Sequence, residues 1–300
     1  PGTGWPIVIF LHSTGQNRTN VLSVAETFAG AGFACVASDM PLHGVDATTG
    51  QLSGPNTPNI FSGYDEMGVS RERTFGLDLF TESPGQIPGL MPDGMPDSSG
   101  IHFINVQNLA VTRDNLQQAV ADLINLRASL GDLTVGGMDV FDETQVHFVG
   151  HSLGGSVGGT FLGTQQTGIV SGTLGMAGGS LPYLLNGSTI FGPVIEASLG
   201  VVGVSPNTPQ YSEFLAAAQT IGDSGDPINS ASAFGASMTP IFALEIVGGG
   251  TIKGSPSLPD LVVPNAVTGA PLAGTEPLVA AMGLQSVSMT TNNGAGVRGV

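Results

Sequence analysis

The sequence predicts an α/β protein built on a mostly parallel, doubly wound sheet, and three observations carry that expectation. Apolar strand-like runs alternate with helix-compatible stretches, Gly closes the clearest helices, and one strand leads through a Gly-x-Ser-x-Gly turn into a helix. Trp5 to Leu11 is continuously apolar, as a strand buried on both faces of a parallel sheet requires. Residues 20–31 form a helix candidate with Val21, Val24, Ala25 and Phe28 on one face, and Gly30 and Gly32 ending it. Phe33 to Ser38 reads as the next strand. Over 105–130, Leu116, Val120, Leu123 and Leu130 follow helical spacing and Gly131 supplies the stop. Val146 to Val149, Ile169 to Met176 and Ile241 to Val247 read as further strands.

Two stretches fall outside this rhythm. Segment 41–105 is rich in Pro, Gly, Asp and Ser, and segment 180–238 carries short helical patterns, including Tyr211 to Thr220, between consecutive strands. Both exceed an ordinary connection of about 2–6 residues. In such a sheet they would rise above the carboxyl ends of the strands, where α/β enzymes bind ligands. They are expected to act as cap and lid within a single domain spanning 1–300.

Bulk composition narrows the function classes. The 300 residues hold 23 acidic against 7 basic side chains, a formal charge of −16 that disfavours nucleic acid and anionic membrane as partners. The one cysteine, Cys35, excludes an internal disulfide or a cysteine metal site, and its apolar strand suggests a packed core thiol. No run of 18 apolar residues is present to span a membrane, and the chain carries no signal peptide. A monomer is the default expectation.

Gly150-His151-Ser152-Leu153-Gly154 is the chemically informative motif. With 46 Gly and 26 Ser in the chain, chance alone gives roughly 0.6 matches to the five-residue pattern, so its context decides. A strand before it and a helix after it make a nucleophile elbow, a turn that exposes a serine hydroxyl. Ser152 is therefore the candidate nucleophile. A serine hydroxyl needs a base, an acid that orients the base, and donors aimed at the developing oxyanion. One donor comes with the elbow, the Leu153 N–H. The second is expected from the polar loop His12 to Asn17 after the first strand, at the Thr14 N–H, with His12 buttressing that loop.

The acid is expected after the strand 241–247. Asp260, in Leu258-Pro259-Asp260-Leu261-Val262-Val263-Pro264, is the first choice, followed by Glu276 and then Glu245, which is expected inside the strand and in a structural pairing. The base is the difficulty. His12, His43, His102, His147 and His151 all precede Ser152, whereas the chain order of this architecture is serine, acid, histidine. His43 and His102 are expected to be structural or substrate-facing. The catalytic histidine is expected beyond Val300, after a strand that Gly296-Val297-Arg298-Gly299-Val300 begins.

The chain resembles the bacterial virulence-factor lipase family of secreted α/β-hydrolase esterases. The matching stretches are Gly4 to Phe10, Asp39 to Gly44, Glu72 to Phe75, His147 to Gly155, Asp223 to Asn229 and Gly274 to Leu278, with His12-Ser13 replacing the more usual His-Gly. The resemblance implies the α/β-hydrolase fold, extracytoplasmic location, and cofactor-free hydrolysis of lipid-like or polyester esters by a serine, acid and histidine triad. Competing readings are weaker. No His-x-x-x-His or paired-carboxylate spacing suggests a metal, and no phosphate-binding loop accompanies the sole lysine, Lys253. An acyltransferase using the same serine, and an ester-binding module that has lost its base, remain open.

Overall fold

The computed structural model describes residues 4–45, 72–81, 91–164, 168–234, 239–249, 251–252, 255–287 and 297–299. Its centre is a seven-stranded sheet. Strands β1 (Trp5–Leu11), β2 (Ala34–Ser38), β3 (Phe141–His151), β4 (Ile169–Gly175), β5 (Ile241–Leu244), β8 (Gln285–Val287) and β9 (Val297–Gly299) lie in the order β2-β1-β3-β4-β5-β9-β8, every neighbouring pair parallel. The pair β6 (Thr251–Ile252) and β7 (Ser255–Pro256) forms a separate antiparallel ribbon.

The burial of β1 shows why its sequence is apolar without alternation. Ile7, Ile9 and Leu11 face one side and Val8 and Phe10 the other, and all are at most 6% exposed. β2, by contrast, is an edge strand with no fully buried residue. Cys35 is accordingly half-buried, short of the packed core position expected of it, and partial burial pushes its thiol pKa up.

Among the described residues the α-helices are α1 (Leu22–Gly30), α2 (Leu109–Ser129), α3 (Leu153–Thr164), α4 (Leu181–Gly187), α5 (Phe191–Val201), α6 (Pro209–Gly222), α7 (Pro227–Ser230) and α8 (Thr275–Ala281). α2 buries Leu116, Ala119, Val120 and Leu123 in the main core, and α3 is buried from Leu153 to Leu162. Helices α4 to α7 occupy most of the expected second insertion. Of the expected first insertion, residues 46–71 and 82–90 lie outside the described residues.

Several boundaries differ from the sequence expectation. β3 begins five residues before Val146 and carries an irregular register at the Pro6/Ile7 step of β1. β5 stops at Leu244, so Glu245 follows the strand. A strand forms at Val297–Gly299 and inserts between β5 and β8. The stretch that the sequence reads as the start of a strand is thus paired in the sheet at Val297–Gly299; Gly296 and Val300 themselves lie outside the described residues.

From β1 the chain crosses to β2 on one side and, later, to β3 on the other. That reversal opens a crevice at the carboxyl ends of β1 and β3, the place where open α/β sheets bind ligands. Strand order, parallel pairing and the β3-turn-α3 unit make this an α/β-hydrolase fold.

Candidate functional site

Ser152 sits at the mouth of that crevice with φ +53°, a left-handed backbone that costs a non-glycine residue about 1–2 kcal/mol. Its neighbours hold it there. The Ser152 N–H donates to the Gly175 carbonyl of β4 at 2.7 Å, and its own carbonyl accepts from Ser156 N–H at 2.9 Å. Two glycines allow the turn to close. A Cβ on Gly150 would lie 2.3 Å from the Gly154 carbonyl oxygen, and one on Gly154 would lie 2.4 Å from the carbonyl oxygens of both Leu11 and His12. The second pair is informative, because it presses the start of α3 against the end of β1. The elbow and the loop carrying Thr14 therefore share one backbone contact.

That loop is fixed from below. His12 is fully buried, with Nδ1 donating to the Ser13 carbonyl at 2.8 Å and Nε2 accepting from Met40 N–H at 3.1 Å. Burial lowers its pKa to about 4, so the ring is neutral at ordinary pH. Downstream, Arg18 binds Asp39 and reaches both Glu72 oxygens at 2.7 Å, while Glu72 also accepts from Val45 N–H. Burial beside that cluster is tolerable because every charge has a partner. Among the described residues the Thr14 N–H donates to no acceptor, and the Leu153 N–H, at the first position of α3, has no carbonyl within its helix. Both are open donors.

Ser152, Leu153 and Thr14 line one cavity of about 90 Å³. Its other walls are mostly apolar, with Leu116 from α2 and Leu184, Ile195 and Leu215 from α4, α5 and α6. Asp226 also faces it but is spent structurally. Its carboxylate is 1% exposed and accepts from Ser180 N–H (2.9 Å), Leu181 N–H (2.6 Å), Ile228 N–H (3.1 Å) and Gln219 Nε2 (3.1 Å). Burial raises its pKa while these donors oppose the rise.

Asp260 follows β5 by way of the β6–β7 ribbon and returns to it, its N–H donating to the Ile246 carbonyl at 3.1 Å. One oxygen, Oδ1, accepts from Val262 and Val263 N–H at 2.8 and 2.9 Å, which fixes the carboxylate in place. Val262 and Val263 line the Ser152 cavity. The Asp260 charge also acts on His151, next to Ser152, raising its pKa against a larger lowering by burial. Asp260 thus approaches the elbow from the β5 side. Glu276 lies exposed in the first turn of α8 and away from the cavity lining. Glu245 is buried immediately after β5, which corrects its placement inside the strand.

The histidines separate clearly. His147 pairs with Ser171 Oγ at 2.8 Å across β3 and β4. His43 is fully buried, 4.8 Å from His12 ring to ring, with burial lowering its pKa to about 4. It lines neither cavity, so of the expected structural or substrate-facing roles it takes the structural one. His102 lines a second, adjoining cavity and pairs with Asp97 at 2.7 Å. None of the five lines the Ser152 cavity. Sequence reasoning missed Asp226 and Asp97. Asp226-Pro227 is a legible helix start, an N-cap followed by Pro at N1. Asp97 carries no comparable local signal.

Among the described residues no helix is long and apolar enough to cross a membrane, and no group of three or more His, Cys, Asp or Glu is placed to hold a metal. No protein-family model and no curated protein matches the chain. Solved structures do. The acetyl xylan esterase from Paenibacillus sp. R4 is 15% identical over 81% of this chain and 58% of its own, with a TM-score of 0.43. The enol-lactonase from Burkholderia xenovorans LB400 is 12% identical over 99% and 83%, with a TM-score of 0.42. The thioesterase domain from the curacin biosynthetic pathway is 12% identical over 99% and 84%, with a TM-score of 0.44. The chain spans less than two thirds of the acetyl xylan esterase's length.

Proposed function

We propose that this chain is the catalytic domain of a serine carboxylesterase that hydrolyses hydrophobic carboxylic esters. The observation that carries the reading is Ser152 in a left-handed elbow, opening into an apolar cavity beside two open N–H donors. Ser152 Oγ attacks the ester carbonyl, and the Thr14 and Leu153 N–H groups stabilise the oxyanion of the tetrahedral intermediate. Collapse releases the alcohol and leaves an acyl-Ser152 ester, which water then hydrolyses.

The base in this reading is a histidine that follows β9. β9 runs parallel to β5, pairing Leu244 with Gly299, so chain leaving its carboxyl end emerges on the Asp260 side of the crevice. Asp260 keeps Oδ2 for such a ring, since its backbone N–H partners bond Oδ1. The resemblance to virulence-factor lipases supports two further proposals, secretion and a lipid-like or polyester substrate.

The test is p-nitrophenyl butyrate hydrolysis by the 300-residue chain and by the chain continued past Val300, each beside Ser152→Ala. Turnover by the continued chain that Ser152→Ala reduces by roughly 10⁴-fold or more is the expected result. Turnover that survives Ser152→Ala sinks the nucleophile. Turnover by the 300-residue chain alone would keep the nucleophile and overturn the position of the base.

A further inference from the structure

A second cavity of about 490 Å³ adjoins the one that Ser152 faces. Seven residues line both, Thr14, Ile104, Asn105, Val106 and Phe191 among them. A substrate whose carbonyl oxygen meets the Thr14 N–H can therefore extend into both. Their chemistry differs, because the second cavity adds His102, Gln107 and Ser198 to its lining.

His102 is held in one orientation. Asp97 is 4% exposed and accepts from Leu79 N–H at 2.7 Å, from Phe80 N–H at 3.2 Å and from His102 Nε2 at 2.7 Å. The Phe80 ring packs on the imidazole with centroids 4.8 Å apart. A carboxylate only accepts, so the shared proton sits on His102 Nε2, and in the neutral ring Nδ1 presents a lone pair. Asn105 supplies the opposite capability. Its Oδ1 accepts from the N–H groups of Gln107 (3.0 Å) and Asn108 (2.9 Å), which fixes the amide orientation and leaves Nδ2 as a donor. An acceptor and a donor on one cavity wall complement a hydroxyl, which is both.

We propose that the second cavity binds a hydroxyl-bearing part of the ester substrate, with His102 Nδ1 accepting from that hydroxyl and Asn105 Nδ2 donating to it. The inference rests on the esterase reading of Ser152. His102 is then a specificity-determining residue, and it takes no part in the proton transfers at Ser152. The hydroxyl can belong to the alcohol or to the acyl half of the ester, and the test separates the two.

Three esters of matched size discriminate: ethyl butyrate, 2-hydroxyethyl butyrate and ethyl 3-hydroxybutyrate. The catalytically competent protein is expected to favour one hydroxylated ester in kcat/KM. His102→Leu is expected to erase that preference by about tenfold, read as the ratio of kcat/KM for the hydroxylated ester to that for ethyl butyrate. The favoured ester identifies the half that enters the cavity. A purely structural role for His102 would lower all three substrates alike, and an unchanged ratio in a folded variant overturns the proposal.

A second readout needs no turnover. 2-Hydroxyethyl butyl ether is expected to shift the His102 Cε1–H resonance, assigned by its loss in His102→Leu, and ethyl butyl ether is not. A shift without ester hydrolysis would keep this site and discard the esterase reading. No shift with either ether, in a protein that hydrolyses ethyl butyrate, would do the reverse.

Discussion

The elbow and the helical layer above it face each other across one cavity, yet they are held by different physics. At the elbow, backbone meets backbone: Gly150 against Gly154, and Gly154 against Leu11 and His12, with no space for even one added carbon. In the layer, side chain meets side chain. Ile195, Leu199, Tyr211 and Leu215 form a small cluster separate from the main core, with half-buried Phe214 and Leu185 around it. Backbone contacts cannot yield by a rotamer change, whereas side-chain contacts can. In the proposed esterase the reacting geometry is thus fixed by the inflexible half, and the shape of the substrate space is set by the adjustable half.

The largest effect should follow from adding one methyl group to the inflexible half. In Gly154→Ala the new Cβ meets two carbonyl oxygens at 2.4 Å, so β1 and α3 must separate. We expect destabilisation of at least about 4 kcal/mol, read from urea unfolding, and loss of ester turnover. A stable, active Gly154→Ala protein would show that the elbow is as adaptable as the layer, and the contrast would fall.

Acid should break the same half next. His12 and His43 are buried as neutral rings with pKa values of about 4, against 6.5 for the free side chain. Their folded pKa values are depressed, so the unfolded chain binds more protons between those limits. Stability is therefore fully present above pH 6.5 and is lost as pH falls toward about 4. The upper bound is on the order of 3 kcal/mol per ring. Thermal melts across this window should show the fall, and His12→Asn should flatten it. A melting temperature independent of pH over that range would mean that these rings are not buried as neutral groups.

Legibility followed the same division. The elbow was readable because it is local, a strand, a five-residue turn and a helix in direct succession, and Ser152, Leu153 and the loop at Thr14 follow from it. The loop of Asp260 was readable as a Pro-flanked segment after a strand, and the catalytic role of Asp260 belongs to the proposed function. The two carboxylates that order the cavity walls, Asp97 and Asp226, were not readable. Asp97 meets Leu79 and Phe80 from 17 or more residues away, and Asp226 meets Ser180 and Leu181 from 45 or more residues away. Half-burial of β2 was also hidden, because an apolar five-residue strand reads the same at an edge as at a centre. Sequence periodicity reports the face of an element, and position within the sheet comes from pairings that only the folded chain defines.

The smallest expected effect is also the one that most sharpens the contrast. Asp226 ties the helices of the layer to one another: its Oδ1 accepts from Ser180 and Ile228 N–H, and its Oδ2 from Leu181 N–H and Gln219 Nε2. Asp226→Asn preserves volume and one acceptor but turns the other position into a donor facing two donors. The expected cost is about 2 kcal/mol, less than the elbow glycine, because the amide can rotate and Gln219 can withdraw. The consequence should be local. Leu181 and Leu184 line the cavity, so α4 loosens where it meets substrate. KM for p-nitrophenyl butyrate should rise several-fold with kcat nearly unchanged, since Ser152 and its two N–H donors belong to the other half. A matching fall in kcat would mean that the layer positions the reacting groups as well as the substrate, and that the two halves act as one.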